Sequence, residues 1–290
     1  MAKRFVLRII KISIIIPLYN KEKTIYETVN SCLIQDYTNI EVVVVDDGST
    51  DNSLNMIKPI TDSRLVVKSF QNGGVSAARN RGAKIANGDF LIFIDADDLM
   101  LSNCVSTLVA LKKKYPGADI YCGNCEVVSN GESTPFCKNK KEGFINNNFR
   151  ERYFRKFTMS AGSTMYSKVS YERHGGYDIR ISVFEDTDFD LRYLRFAKIV
   201  YTPKCLYKHI LDNAELSVNL KPLNCYYTNY ADFNDATCFW EKIIMAMIVY
   251  AIICKFKDAG KTNEYKILKK KFRRYYVYVY IHKFLSVLFR

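Results

Sequence analysis

Glu41-Val42-Val43-Val44-Val45-Asp46-Asp47 and Phe90-Leu91-Ile92-Phe93-Ile94-Asp95-Ala96-Asp97-Asp98 decide how this chain folds. Each is an apolar run without polar alternation, the pattern of a strand buried on both faces of a parallel sheet. Each also ends in carboxylates. In open α/β sheets, ligands bind at the carboxyl ends of the strands, so both acidic clusters are expected on the functional edge. Two carboxylates about 4 Å apart repel by about 4 kcal/mol at an effective dielectric of roughly 20, so Asp95, Asp97 and Asp98 ask for a cation. The expected cation is an oxygen-seeking divalent ion, Mg2+ or Mn2+, that also holds substrate phosphates. A spaced acid pair also occurs in solvated turns, and the apolar strand before it is what gives Asp95-Ala96-Asp97 its weight.

The pattern extends to either side of these runs. Strands are expected at 12–18, 40–45, 65–67 and 90–94, and helices at 22–35, from Ser53, at 74–86 and at 102–115, followed by a strand at 120–128. This is βαβ organisation with a mostly parallel, doubly wound sheet. Residues 129–148 are polar, with Gly131, Pro135, Gly143 and three consecutive asparagines, and read as loop. A helix with an acidic first turn is expected from Glu185 or Asp186 through Arg195.

A chain of 290 residues, 48% hydrophobic and 14% aromatic, can bury a sizeable core. Met1 to Asn20 begins like a secretory leader, but Arg8 and Lys11 interrupt the apolar run and no small cleavage residues follow. Nine cysteines are an odd, scattered set, which fits reduced thiols in a cytosolic protein better than a disulfide framework. Cys122-Gly123-Asn124-Cys125 has no second ligand pair, and reads as buried or incidental thiols.

The net charge of +13 is concentrated at one end: from Lys255 to Arg290, eleven basic residues face Asp258 and Glu264, leaving +4 elsewhere. That argues against a nucleic-acid surface and for a local acidic partner such as anionic lipid. An apolar run over 243–254 is too short to cross a bilayer, which needs about 20 residues. Residues 266–290 interleave lysine and arginine with tyrosine, phenylalanine and leucine, a mixture suited to a membrane interface. The competing reading is an amphipathic helix packed on its own domain or on the partner of a homodimer. The expected division is a catalytic domain over 1–218 and a basic aromatic extension over 219–290.

Four further residues stand out. Arg79 lies in Asn72-Gly73-Gly74-Val75-Ser76-Ala77-Ala78-Arg79-Asn80-Arg81-Gly82, whose glycines let backbone or a diphosphate approach a helix start. Val75, Ala78, Gly82 and Ile85 should form the packed stripe, with Arg79 at its edge, facing either a ligand anion or a structural aspartate. Asp46 and Asp47 could belong to a turn with a helix cap at Asp51. Asp186, at a helix start that favours its ionised form, is the candidate base for an acceptor hydroxyl, or else complements the helix dipole. His209 is either a metal ligand or an ordinary surface or core histidine.

Taken in order, Ser13-Ile14-Ile15-Ile16-Pro17-Leu18-Tyr19-Asn20, Val43 to Asp51, Asn72 to Gly88, Asp89 to Asp98, and Gly175-Gly176-Tyr177-Asp178 leading to Glu185-Asp186 resemble the inverting glycosyltransferases of family 2, over about residues 12–218. The resemblance implies an α/β type A glycosyltransferase fold, with a doubly wound, mostly parallel but mixed sheet and here a helical C-terminal extension. It implies that Pro17, Tyr19 and Asp46 or Asp47 hold the nucleobase and ribose of a nucleotide sugar, usually a UDP-sugar, with Arg79 near the nucleotide. Asp95 and Asp97 match the family's metal-binding pair, Asp97 being the direct ligand, and Asp186 matches its catalytic base. The chain departs from the family pattern at Tyr207-Lys208-His209-Ile210-Leu211-Asp212, where the usual arginine is missing and His209 or Asp212 is left to supply the late metal or phosphate contact.

The expectation is a metal-dependent inverting sugar transferase for cell-surface polysaccharide, peripheral at the inner face of the membrane, with a lipid-linked glycan as acceptor. The rivals are a sugar nucleotidyltransferase, which would carry a glycine-rich basic loop where Pro17-Leu18-Tyr19-Asn20-Lys21 stands, and an inactive membrane-associated scaffold.

Overall fold

A computed structural model describes residues 9–139, 141–211 and 220–288. In chain order the elements are β1 (Ile12–Leu18), α1 (Ile25–Leu33), β2 (Ile40–Asp46), α2 (Ser53–Ile57), β3 (Leu65–Ser69), α3 (Val75–Ile85), β4 (Phe90–Phe93), β5 (Leu99–Met100), α4 (Cys104–Lys114), β6 (Ile120–Ser129), β7 (Glu132–Pro135), β8 (Gly143–Phe144), α5 (Asn148–Tyr153), β9 (Thr164–Ser167), α6 (Lys168–His174), α7 (Glu185–Leu194), β10 (Ile199–Ile210), α8 (Phe239–Asp258), α9 (Thr262–Lys271) and α10 (Tyr276–Leu288).

These elements group into two compact units among the described residues: Met1–Asn146 with Arg155–Tyr177 and Ala197–Glu215, and Asn147–Phe154 with Asp178–Phe196 and Leu216–Arg290. The expected boundary between residues 218 and 219 lies outside the described residues. Residues 147–154 and 178–196 group with the C-terminal helices.

The first unit is built on one sheet in the order β3-β2-β1-β4-β9-β6-β10-β5, with β7 beside β6 and β8 beside β10. Neighbours from β3 to β4 are parallel, and β9 runs antiparallel to both β4 and β6, so the sheet is mixed. Every residue of β1 and β2 is buried, as their aliphatic runs demand, and the polar Ser13 and Glu41 within them are paired, Ser13 Oγ donating to the Glu41 carboxylate at 2.6 Å. Ile12, Ile14, Ile16 and Leu18 of β1 pack in one core with Ile25, Val29 and Cys32 of α1 and with Cys104, Val105 and Leu108 of α4. Burial pushes the Cys32 thiol up to about 12, the Ser31 hydrogen bond opposing, and raises that of Cys104 as well.

On the opposite face α3 lies against β1 and β2. A methyl at Gly82 would stand 2.3 Å from Ile15 Cγ2, so only glycine permits this approach. The contact sets the phase of the helix. Its buried side is Ser76, Ala78, Arg79, Gly82 and Ala83, not the expected Val75-Ala78-Gly82-Ile85 stripe, and Arg79 is carried inward.

The stretch 129–148 is not all loop. Asn130 (φ 51°) and Gly131 (φ 77°) make a two-residue hairpin joining β6 to β7, with Ser129 opposite Glu132. Asn-Gly is the strongest short hairpin signal a sequence carries, and its polar flanks hid it.

The second unit is helical. Tyr226 and Phe256 meet at 5.1 Å, Phe233 stacks on Tyr275 at 3.9 Å, and Arg195 Nε donates to the wholly buried Glu241 carboxylate at 2.7 Å. No helix among the described residues is long and apolar enough to cross a membrane.

Candidate active site

In the first unit the carboxyl ends of β1, β2 and β4 bring the acidic clusters to one edge, where Leu18 pairs with Asp46 in the β1–β2 register. The loops behind them are laced together. Asn20 Oδ1 accepts from the Thr50 amide at 2.8 Å, and the Asn20 amide donates to Ser49 Oγ at 3.1 Å. Beside this lacing Tyr19 is 48% exposed, an aromatic face held at the rim, while Pro17 is buried at the end of β1.

Asp46 and Asp47 prove unlike. Asp46 Oδ1 accepts from the Ser49 amide at 3.0 Å and shapes the turn. Asp47 accepts from the Gly73 and Gly74 amides, the latter at 2.7 Å, and from Arg81 at 2.7 Å. The glycine-rich start of α3, expected to receive a backbone or a diphosphate, thus receives the chain's own carboxylate. Asp47 is thereby spent on the turn leading into α3, and of the two it is Asp46 that keeps one carboxylate oxygen without a hydrogen bond among the described residues.

The cluster after β4 is resolved residue by residue. Asp95 Oδ1 accepts from the Arg79 guanidinium at 2.9 Å, and that guanidinium also lies 4.8 Å over the Tyr177 ring. Tyr177 is set in place by Asn80, which accepts from its amide at 2.9 Å and donates to its carbonyl at 2.8 Å. Asp97 Oδ2 meets the Lys21 ammonium at 2.9 Å. Burial pushes the Asp97 carboxyl above its ordinary range against the pull of Lys21, with the charges of Asp98 and Asp95 adding to the rise.

Asp98 turns inward. It accepts from the Tyr207 hydroxyl, from the Ile210 amide at 2.8 Å and, at 3.1 Å, from His209 Nδ1. The Asp98 carboxylate raises the His209 imidazole above its ordinary value against the effect of burial. With Nδ1 engaged by a carboxylate, the His209 ring is oriented so that Nε2 remains for a ligand, the arrangement metal-binding histidines adopt. Asp212, the other candidate for the late contact, lies outside the described residues. Lys21, Asn80 and Tyr207 are neighbours of the site to which motif spacing gave no role, because their partners are remote in sequence, and Asp98, expected to share the cation, is instead taken up by Tyr207, His209 and Ile210.

The electrostatic demand inferred from the acidic run is therefore met largely by the chain itself, through Arg79, Lys21 and the Asp98 network. Among the described residues no three histidine, cysteine or carboxylate side chains converge to hold a metal alone. The donor set still suits a hard divalent ion taking one or two carboxylates from protein and its remaining ligands from phosphates and water, the habit of Mg2+ and its congeners. Asp97 and Asp95 would hold it, and His209, tied to Asp98 through Nδ1, does not complete a three-residue set with them among the described residues.

In the second unit, α7 opens with Glu185, Asp186 and Asp188 in its first turn. Phe184, just before it, holds φ at 65°, a left-handed conformation that an aromatic residue adopts at a cost of roughly 1 kcal/mol or more, and such strain gathers at functional positions. Asp186 is exposed and accepts from the Thr187 amide at 2.7 Å. One turn on, burial pushes the Asp190 carboxyl up to about 8, with Arg152 opposing and Asp186 reinforcing.

A mixed, doubly wound sheet with an acidic pair beyond its fourth strand is the type A glycosyltransferase architecture. The chain belongs to glycosyl transferase family 2, whose model matches residues 13–175. Among curated relatives, the glycosyltransferase GlyA of Streptococcus pneumoniae is 30% identical over 71% of this chain and 31% of its own length. The Escherichia coli UDP-Glc:alpha-D-GlcNAc-diphosphoundecaprenol beta-1,3-glucosyltransferase WfaP is 42% identical over 34% of this chain and 39% of its own. The chain thus spans only a third or so of the length of such relatives. Staphylococcus aureus TarS (residues 1–349), in complex with UDP, superposes with a TM-score of 0.61 at 27% identity, covering 69% of this chain and 60% of that one.

Proposed function

We propose that this protein transfers a sugar, with inversion, from a UDP-sugar to a hydroxyl of a lipid-linked glycan, using a divalent ion. The observation that carries the proposal is the Asp95-Ala96-Asp97 edge beyond β4, with the aromatic face of Tyr19 on the neighbouring strand end, in a family 2 fold. WfaP, named for a UDP-glucose donor and a diphosphoundecaprenol-linked acceptor, and TarS, with UDP bound, support the donor and acceptor classes.

The residues divide the work. Tyr19 stacks on the nucleobase, and the free oxygen of Asp46 receives a donor group from base or ribose. Asp97 and Asp95, with His209 nearby, would hold Mn2+ or Mg2+, which when bound would offset charge on the leaving diphosphate. Arg79, fixed against Asp95 and Tyr177, keeps that carboxylate ionised and aligned. Asp186 receives the proton of the acceptor hydroxyl as it attacks the anomeric carbon from the side opposite the diphosphate. A single displacement of this kind inverts configuration. The test is UDP release from UDP-glucose and UDP-N-acetylglucosamine with Mn2+ and a polyprenyl-diphosphate sugar. Release of pyrophosphate instead would identify a nucleotidyltransferase, and no turnover of any nucleotide sugar would favour the scaffold.

The acceptor class asks for a protein at the membrane surface, and α10 has a face suited to it. Val277, Tyr280, Phe284, Val287 and Leu288 share one side of the helix and are each more than half exposed, while Lys266, Lys269, Lys270, Arg273 and Arg274 are exposed just before it. An apolar stripe beside a basic cluster fits the interface of an anionic bilayer. Phe284→Glu with Val287→Glu should abolish sedimentation with phosphatidylglycerol vesicles, and binding equal to wild type would remove the peripheral reading. A protein that instead goes from dimer to monomer would assign the stripe to a second copy.

A further inference from the structure

Lys21 brings a cation on a flexible stem to the acidic edge. Its amide donates to Ser53 Oγ at 2.8 Å, and its carbonyl accepts from the Thr24 and Ile25 amides at 3.1 and 3.0 Å, so its backbone is pinned at the entrance to α1. The flexible stem then carries the ammonium to 2.9 Å from Asp97 Oδ2, with 22% of the Lys21 side chain and 15% of the Asp97 side chain still exposed. Arg79 differs in how its own side chain is held: although its partner Asp95 is 36% exposed, the Arg79 side chain is 6% exposed, lies in the buried side of α3 and stacks over Tyr177.

A carboxylate cannot keep an ammonium and a divalent ion in contact on the same side without the two cations repelling at short range. One must give way, and the cation that sits on a flexible stem and itself touches water is the weaker tie. We propose that Lys21 is an exchangeable counter-ion of Asp97: it neutralises the carboxylate before the donor arrives, yields that position to the divalent cation, and turns its ammonium onto the diphosphate. The proposal rests on the reading of Asp97 as a metal-holding residue. Lys21 is a positioning residue in the first state and a phosphate contact in the second, a role for which a compact point charge on four rotatable bonds suits better than a rigid fork. The exchange also keeps the edge near electroneutral in both states, so donor binding adds no uncompensated charge to a half-buried carboxylate.

Titration with Mn2+, followed by the paramagnetic resonance of the free ion, tests this on the full chain with wild type, Lys21→Met and Lys21→Arg. With no nucleotide present, Lys21→Met should bind Mn2+ about tenfold more tightly than wild type, because a competing positive charge has gone. Lys21→Arg, which keeps the charge, should stay within about twofold of wild type. At saturating Mn2+, UDP should bind Lys21→Met about tenfold more weakly, since a phosphate contact is lost. Equal Mn2+ affinities for wild type and Lys21→Met would overturn the exchange and leave the metal reading intact. Mn2+ that binds none of the three proteins, with or without UDP, would overturn both. Should Lys21→Met fail to fold, Lys21→Gln takes its place with the same expectations.

Discussion

Lys21–Asp97 in the first unit and Arg195–Glu241 in the second are ion pairs of similar length, 2.9 and 2.7 Å, with opposite surroundings. Both members of the first pair touch water. In the second, Glu241 has no exposure, and its carboxylate also accepts from the Thr237 amide and hydroxyl at 2.6 and 2.8 Å. Distance alone does not separate a replaceable tie from a permanent one. What separates them is whether a carboxylate left alone can recover its hydration.

Four substitutions probe that contrast, beginning with the largest effect. Asp97→Ala should lower turnover by at least about 10³-fold while leaving the thermal midpoint near wild type, because the role proposed for the residue is to support a leaving group and not the core. Unchanged turnover would remove the functional side of the comparison. Arg195→Met should destabilise by about 3 kcal/mol in urea unfolding, since Glu241 stays buried without its cation. A loss below about 1 kcal/mol would put this pair in the same class as an exposed one.

Asp190→Asn asks what burial does to a carboxyl. With a native value near 8 and an ordinary value of 3.8, the folded protein binds more protons than the unfolded chain between those limits. Stability from this group therefore falls as pH rises through that window. The variant should melt about 2–4 °C higher than wild type at pH 8 and no higher at pH 4, measured by circular dichroism. The smallest effect is expected at the solvent-exposed end. Arg64 grips Asp62 with two hydrogen bonds, of 3.0 and 2.7 Å, and holds its carboxyl down to about 2. Its contribution is present above the ordinary carboxylate value and disappears as pH falls through about 2. Asp62→Asn should cost less than about 1 kcal/mol at pH 7, with the difference from wild type vanishing near pH 2.

The two sides of the site were not equally legible. β1, β2 and β4 are buried on both faces, so their sequences are dominated by apolar residues, and β2 and β4 run straight into the carboxylates, so that strand and site can be read in one pass. β10 carries Pro203, Lys204 and Lys208 and breaks register after Thr202 and again after Cys205, so its sequence shows neither alternation nor an apolar run. Four-residue β9 is too short to establish a period. The carboxylates declared themselves by clustering, whereas their partners did not. Lys21 meets Asp97, and Tyr207 meets Asp98, across long stretches of chain that only the sheet order closes. The acidic run asked for positive charge, and sequence alone could not say that lysine and arginine from other elements already supply much of it.

Cys32 and Cys104 lie where α1 and α4 cover the sheet, both fully buried, with Cys32 held up to about 12. A thiol so deep and so reluctant to ionise is invisible to an alkylating dye until that layer parts. The molecule therefore carries its own clock: each labelled Cys32 would mark one moment when the helices lifted from the strands. Comparing labelling rates with and without nucleotide would reveal whether a donor at the far rim steadies the layer beneath it.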